Sequence, residues 1–488
     1  MKLYNTLSRT IETVTPIAEN HLGVYACGPT VYDYAHLGHL RKYTMDDVLV
    51  RALRHEGYDV KLVQNITDVG HLASDADTGE DKLEKGAKKY GSTVWDVARR
   101  FEDYFFYSMD LMGNVRPDLS CRATDHIQSQ LELVITLEKK GYAYVIPGDG
   151  VYFDTSKLAD YGKLARLDLA QQKAGARVET DGKRNGSDFA LWKFERPGEN
   201  RAMIWPSPWA ERGFPGWHIE CSAMSMEHLG EQFEIHTGGI DHIPVHHTNE
   251  IAQSEAATGK IPFVKYWVHH NFLRVDDEKM SKSLGNFFTV DDILKKDFAP
   301  QALRLLFLGS HYRSELNFTW ESMQAAQTAW ERLCHQVKQI QHAAAERTAH
   351  DQHIDPAVEE LPEHKAFFAA LADDLNTPIA MTSVWQVLKS DILAPQEQYR
   401  LLLEFDQVLG LGLAKLEFSA EVKSTDSTTI LAKLPADQQT EVVQLLEARL
   451  TARAAKNWSQ ADELRDQLAA LGVVVLDQAD GTQQIKLK

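Results

Sequence analysis

His36 and His39 flank Gly38 just after a short apolar run, and the segment Lys279-Met280-Ser281-Lys282-Ser283-Leu284-Gly285-Asn286 sets two lysines three residues apart in a serine-bearing loop. A helix N-terminus offers N–H groups and positive potential to an anion. Two imidazoles one turn apart can donate to phosphate oxygens, and Gly38 lets a flat base approach the backbone. Lysine is a compact point charge suited to a transferring phosphoryl group, and Ser281 and Gly285 permit a loop that closes over it. Taken singly, the first string also fits one surface and one half-buried histidine, and the second a solvated charged loop. Their order is more specific than either, because one lies near the start of a strand-helix pattern and the other just after its last strand.

A third group is dispersed: Cys27, Cys221, His246 and Glu250. His246 and Glu250 are four apart and share one helix face, and cysteines are soft ligands suited to zinc. His247 competes with His246 for the same role. Spacing alone also allows two small buried cysteines and a surface His-Glu contact.

The elements that must position these groups follow from periodicity. Gly23 to Cys27 reads as a strand closed by Gly28-Pro29, a helix spans about His39 to His55 with Gly57 after it, and Val60 to Val63 is the next strand. Strand, crossover helix and strand make the unit of a parallel doubly wound sheet, whose ligands sit at the carboxyl ends of the strands. Phe233 to His236 resumes the sheet, and His246 to Thr258 is a helix followed by Gly259. The expected architecture is α/β: a Rossmann-like doubly wound catalytic domain over 1–300 with an insertion at about 115–215. A helical bundle follows over 301–418, and a small C-terminal module over 437–488 ends in a Val473 to Leu476 strand.

The 488 residues suit about three domains at roughly 150 residues each. With 43% hydrophobic and 25% charged residues the chain falls outside the disordered and fibrous classes. No run reaches the roughly 18 apolar residues of a membrane span, and the first residues do not read as a cleaved leader, so a cytoplasmic location without membrane association is expected. Four scattered cysteines are expected as thiols or metal ligands rather than disulfides. The net charge of -18 disfavours non-specific nucleic-acid binding over the whole surface. A local basic track, with Lys163, Arg166, Lys173, Arg177, Lys183 and Arg184, is the exception.

The paired histidine and lysine motifs resemble those of class I aminoacyl-tRNA synthetases. Tyr25-Ala26-Cys27-Gly28-Pro29-Thr30-Val31-Tyr32-Asp33, Gly216-Trp217-His218-Ile219-Glu220-Cys221 and His246-His247-Thr248-Asn249-Glu250 resemble the signatures of the cysteinyl-tRNA synthetase family. The likeness continues through Arg122-Ala123-Thr124-Asp125-His126, Asp188-Phe189-Ala190-Leu191-Trp192-Lys193 and Ala455-Lys456-Asn457-Trp458, covering almost the whole chain. The resemblance implies that cysteine is activated with Mg²⁺-ATP to cysteinyl-adenylate and transferred to the terminal adenosine of tRNA(Cys).

It also implies one zinc ion per chain on Cys27, Cys221, His246 and Glu250, reading the substrate sulfur. It places His36, Gly38, His39, Asp241 and Lys282 at ATP, and gives His36, His39, Lys279 and Lys282 the stabilisation of the transition state. Thr67, Trp217 and His236 fall near the bound cysteine, the basic insertion near the acceptor stem, and the tail at the anticodon. A monomer is expected. The nearest alternative is an ATP-dependent ligase joining cysteine to an amino sugar, which would have no use for the tail. The chain departs from the usual family pattern at Gly70 to Asp77, at Thr248 and in the C-terminal Gly481 to Lys488.

Overall fold

The computed structural model describes residues 1–70, 81–166, 182–280, 285–348, 358–416, 436–454, 457–477 and 483–487. Lys282, most of the 70–77 loop, Lys173, Arg177, Ala455 and Lys456 therefore lie outside the described residues, as does part of the 481–488 end. The chain divides into two units, Met1–Ala414 and Lys415–Lys488.

The first unit is organised by five parallel strands: β1 (His21–Ala26), β2 (Asp59–Ile66), β3 (Leu119–Arg122), β4 (Phe233–Gly239) and β5 (Val264–His270). Their spatial order is β5-β4-β1-β2-β3. The strand order reverses between β1 and β4, which is where a doubly wound sheet opens a crevice beyond its carboxyl ends. The chemistry-bearing segments converge there, because Cys27 follows β1, Thr67 follows β2, and Gly238 and Gly239 end β4.

Helix α1 (Leu37–His55) connects β1 to β2. Leu40, Val48, Leu49 and Leu53 are fully buried, as their spacing predicts. The opposite side is polar yet also covered. Arg41 donates to the carbonyls of Phe272 at 2.7 Å and Ser314 at 2.6 Å, and Asp47 receives Arg304 at 2.5 Å. Arg304 lies one turn into the helix that begins at Pro300, so these ion pairs and hydrogen bonds lock α1 against the helical segment that follows the sheet. That segment comprises Pro300–Leu308, Trp320–Thr348, Pro362–Ala372, Thr377–Leu388 and Pro395–Leu409, and it belongs to the same compact unit as the sheet.

The excursion expected from about 115 starts later, since Leu119–Arg122 pairs with β2 as the edge of the parallel sheet. Pro117 precedes a short alternating strand, and a four-residue edge strand leaves too weak a pattern to separate from loop. The excursion itself is an antiparallel sheet of Ala143–Ile146, Gly150–Phe153, Phe189–Phe194 and Gly213–Pro215. Phe153, Leu191 and Trp192 pack with Ile219, Ala223, Ala252 and Ala256. It thus covers α2 (Trp217–Leu229) and α3 (His246–Thr258), leaving both helices buried on nearly every face. Some of their interior polar groups meet between the helices: Gln253 donates to the His218 carbonyl and to Ser222, both at 2.6 Å.

The second unit holds helices Ala436–Ala454 and Trp458–Ala470 and a hairpin of Val473–Asp477 with Gln483–Leu487. Val442, Leu468, Val473 and Ile485 form its core. The second hairpin strand was not expected from sequence, although Ile485 and Leu487 alternate. Among the described residues no helix is long and apolar enough to cross a membrane.

Candidate active site and metal centre

His36 is the N-cap of α1, and its ring Nδ1 accepts from the backbone N–H groups of Gly38 at 3.1 Å and His39 at 3.3 Å. The backbone N–H of His36 in turn donates to Nδ1 of His39 at 3.3 Å. Leu37 N–H donates to the Phe288 carbonyl and Leu40 N–H to that of His36. The expected free backbone N–H groups are therefore absent here, because the motif's own imidazoles and neighbouring carbonyls consume them. The consequence is chemically useful. With both Nδ1 atoms accepting, each neutral ring carries its proton on Nε2, and two stacked imidazoles 3.7 Å apart present N–H donors. Burial, reinforced by the neighbouring His39, holds His36 well below the ordinary imidazole range. Burial likewise takes His39 down to about 4, against the pull of Asp241.

The described residues on either side of the lysine motif reach this pair. A Cβ at Gly38 would meet Met280 and the His36 ring at 3.0 Å, and Phe287 sits edge-on to His36 with centroids 5.1 Å apart. Gly38 is thus required by close packing between the two motifs. Lys279 is exposed on the short strand leading into the loop. Asp241 is exposed in the turn after β4, and a Cβ at Gly239 would lie 2.3 Å from its Oδ1. Its electrostatic effect on His39 shows the two to be neighbours.

Behind this crevice, the sulfurs of Cys27 and Cys221 and a ring nitrogen of His246 lie within 4.8 Å of one another. Glu250, one turn along α3, brings Oε1 to 3.0 Å from His246 Nε2 and accepts from His236 Nε2 through Oε2, also at 3.0 Å. All four expected ligands are buried, and three of them, Cys27, Cys221 and His246, form one set, with Glu250 in contact with His246. His246 is the histidine that groups with both sulfurs. His247 joins Cys27 and His242 in one set and His236 and Glu250 in another, without Cys221.

The electrostatics are those of a cation site. Hydrogen bonding from Cys221 holds the Cys27 thiol well below its ordinary range despite burial, with His242 and His246 adding to the effect. The same bond and burial push Cys221 up. Burial disfavours a charged His246, yet Glu250 and Cys27 raise it to about 10. A proton retained that strongly occupies the place of a positive ion facing sulfur and carboxylate. Beyond the His246 contact, Glu250 Oε1 has no hydrogen-bond partner among the described residues, and buried His247 Nε2 has none there either, a further sign that the cluster fits a metal. Soft sulfur with imidazole and carboxylate suits zinc.

Thr67 is buried, receives Asn65 Nδ2 at 3.0 Å and faces Glu220 at 3.4 Å. Trp217 is half-buried with its ring 4.3 Å from that of His246. His236 is fully buried, stacked on Trp267 at 4.7 Å, and its contact is with Glu250. Sequence reasoning missed several partners. Lys42 and Tyr43 of α1 donate to the Cys27 carbonyl at 2.8 and 3.2 Å, His218 reaches His246 with the two Nδ1 atoms 3.0 Å apart, and His269 reaches His247 at 2.8 Å. The available signal was density: eight of the twenty histidines fall between His218 and His270. All four cysteines are unpaired, and burial lifts Cys121 to about 12.

Residues 13–328 match the family model of the tRNA synthetases class I (C) catalytic domain, and 436–485 that of the cysteinyl-tRNA ligase anticodon binding domain. The cysteine–tRNA ligase of Treponema denticola is 43% identical over 100% of both chains. Cysteine–tRNA ligase 1 of Burkholderia lata is 45% identical over 99% of this chain and 96% of the relative. Among solved structures, the methionyl-tRNA synthetase of Mycobacterium tuberculosis with methionyl-adenylate superposes with a TM-score of 0.56. At 16% identity over 86% of this chain and 95% of that one, it speaks to the fold alone.

Proposed function

The chain belongs to the cysteinyl-tRNA synthetase family as a cysteine–tRNA ligase, and from that premise we propose how its residues divide the work. Cys27, Cys221, His246 and Glu250 hold one zinc ion, supported above all by the buried cluster in which a protonated His246 balances sulfur and carboxylate. When bound there, the ion would supply a soft Lewis acid that favours a thiolate ligand over the alcohol of serine. A pocket of shape alone would reach only about 10²-fold between such close analogues.

His236 is the positioning residue of this centre, holding Glu250 from behind. Trp217 and Thr67 bound the cysteine side chain. His36 and His39 donate Nε2–H to phosphate oxygens of ATP, which arrives with Mg²⁺. Asp241 takes the ribose hydroxyls in the turn after β4, and Gly38 lets the two motifs close together around ATP. The cysteine carboxylate attacks the α-phosphorus, the bond to the bridging oxygen breaks, and pyrophosphate leaves. Lys279 and Lys282 offset the charge growing on it. A ribose hydroxyl of the terminal adenosine then attacks the acyl carbon, releasing AMP. No protein nucleophile is required.

The match of 436–485 to an anticodon binding domain favours tRNA over an amino sugar as acceptor. The module over 437–488 reads the anticodon, the basic insertion approaches the acceptor stem, and the enzyme works as a cytoplasmic monomer. Cysteine-dependent ATP–pyrophosphate exchange with serine as control, followed by charging of tRNA(Cys), tests the reading. Exchange confined to cysteine and coupled to tRNA charging is expected. Equal exchange with serine would remove the role given to zinc.

A further inference from the structure

The far end of α1 carries a second cluster of metal-ligating atoms, remote in sequence from every motif above. His55 closes α1, His364 lies in the first turn of Pro362–Ala372, and Glu404 lies on Pro395–Leu409. His364 Nε2 is 3.0 Å and His55 Nε2 3.9 Å from Glu404 Oε1, and one ligand atom of each of the three residues lies within 4.8 Å of the other two. Ligands about 2.0–2.1 Å from a tetrahedral ion stand about 3.4 Å apart, so a small contraction would bring this set to binding distance.

The side chains are largely withdrawn from solvent, with relative exposures of 23% for His55, 12% for His364 and 18% for Glu404. Among the described residues, His55 Nε2 is buried and makes no hydrogen bond, although it faces this carboxylate at 3.9 Å. A buried imidazole nitrogen left without a partner loses its hydration for nothing in return unless something occupies the space between the rings. Aromatic packing fixes its direction. Phe368 sits edge-to-face on His55 with centroids 3.7 Å apart and lies 4.5 Å from His364.

We propose that His55, His364 and Glu404 form a second metal site for a zinc-class divalent cation, with water completing the coordination. Two imidazoles and one carboxylate are a borderline donor set that suits zinc and disfavours calcium or magnesium, which take oxygen. The site pins the C-terminal end of α1, whose other end bears His36 and His39, to two helices of the bundle. Its role is structural: it links the catalytic helix to the segment that follows the sheet.

The test is metal content of the full-length protein equilibrated with buffered Zn²⁺. Wild type should hold one equivalent more than His55→Gln or His364→Gln, whereas Cys221→Ser should lose a different equivalent and keep this one. Glutamine at 364 can still donate to Glu404, and unchanged melting of the metal-free variant confirms that folding is intact. With Co²⁺ as probe, the equivalent lost in His364→Gln should carry no thiolate charge-transfer absorption. Zn²⁺ should also raise the melting temperature of Cys221→Ser but not of the double variant Cys221→Ser/His364→Gln. Equal zinc content in wild type and both glutamine variants, or an equal melting shift with and without His364, would overturn the site and leave a plain His-Glu hydrogen bond.

Discussion

Two groups of histidines, one at the crevice and one buried behind it, do opposite things. His36 and His39 meet backbone N–H groups through their Nδ1 atoms, have no carboxylate in hydrogen-bond contact, and are driven neutral by burial. His246 is no less buried, yet it faces Glu250 and Cys27 and retains its proton up to about 10. Desolvation acts on both, although His36 and His39 are only half-buried and His246 fully so, and yet it is His246 that keeps its proton, so the anionic partner decides. Where the backbone is the partner, imidazole becomes a fixed N–H donor for an anion. Where thiolate and carboxylate are the partners, it becomes a place for a cation.

Cys221→Ser should break the second half of this contrast most severely. Zinc content should be lost and cysteine-dependent exchange should fall by more than about 10²-fold, since removal of a ligand exceeds the effect of losing its support. ATP affinity should change little, and equal weakening of both substrates would contradict the assignment. His39→Ala should break the first half, lowering the exchange rate by about 10²- to 10³-fold with metal content intact. His39→Asn, which keeps an N–H donor, should recover part of that loss.

His236→Ala sharpens the comparison by removing a support rather than a ligand. Zinc affinity should drop by about 10- to 100-fold while the KM for ATP stays unchanged. The smallest effects are in pH. His246 is raised in the folded state, so in metal-free protein its contribution to stability is complete below about 6.5 and is lost as pH rises through about 10. Melting of metal-free wild type should fall over that window more than that of His246→Gln. His39 is depressed to about 4, so its contribution is present above about 6.5 and is lost as pH falls through about 4. Wild type should therefore lose stability towards acid more steeply than His39→Asn.

Much of this was legible in the residue order. The helix expected at His246 to Thr258 has those bounds in the structure, with Gly259 at φ 79° closing it, because Gly supplies the left-handed cap. The strands leading to Cys27 and His236 were visible as short apolar runs ended by glycine. The edge strand Leu119–Arg122 was not, because only one of its four residues is buried. His236 shows the limit within the site. A place near the bound cysteine was expected for it, and its contact with Glu250 depends on β4 and α3 lying face to face.

The sequence by itself determined which chemical groups exist and their local spacing: the pair around Gly38, the two lysines, and the soft ligands with a His-Glu pair on one helix turn. Those follow from helical and extended periodicity, which act over a few residues. Only the tertiary structure decided that Cys27 and Cys221, 194 positions apart, share one ion-sized space with His246 and not His247. It also decided that the N-terminal N–H groups of α1 are spent on its own histidines. Both outcomes depend on strand order, on helices buried between two sheets, and on which buried group stands within about 4 Å of another, quantities that no local spacing contains.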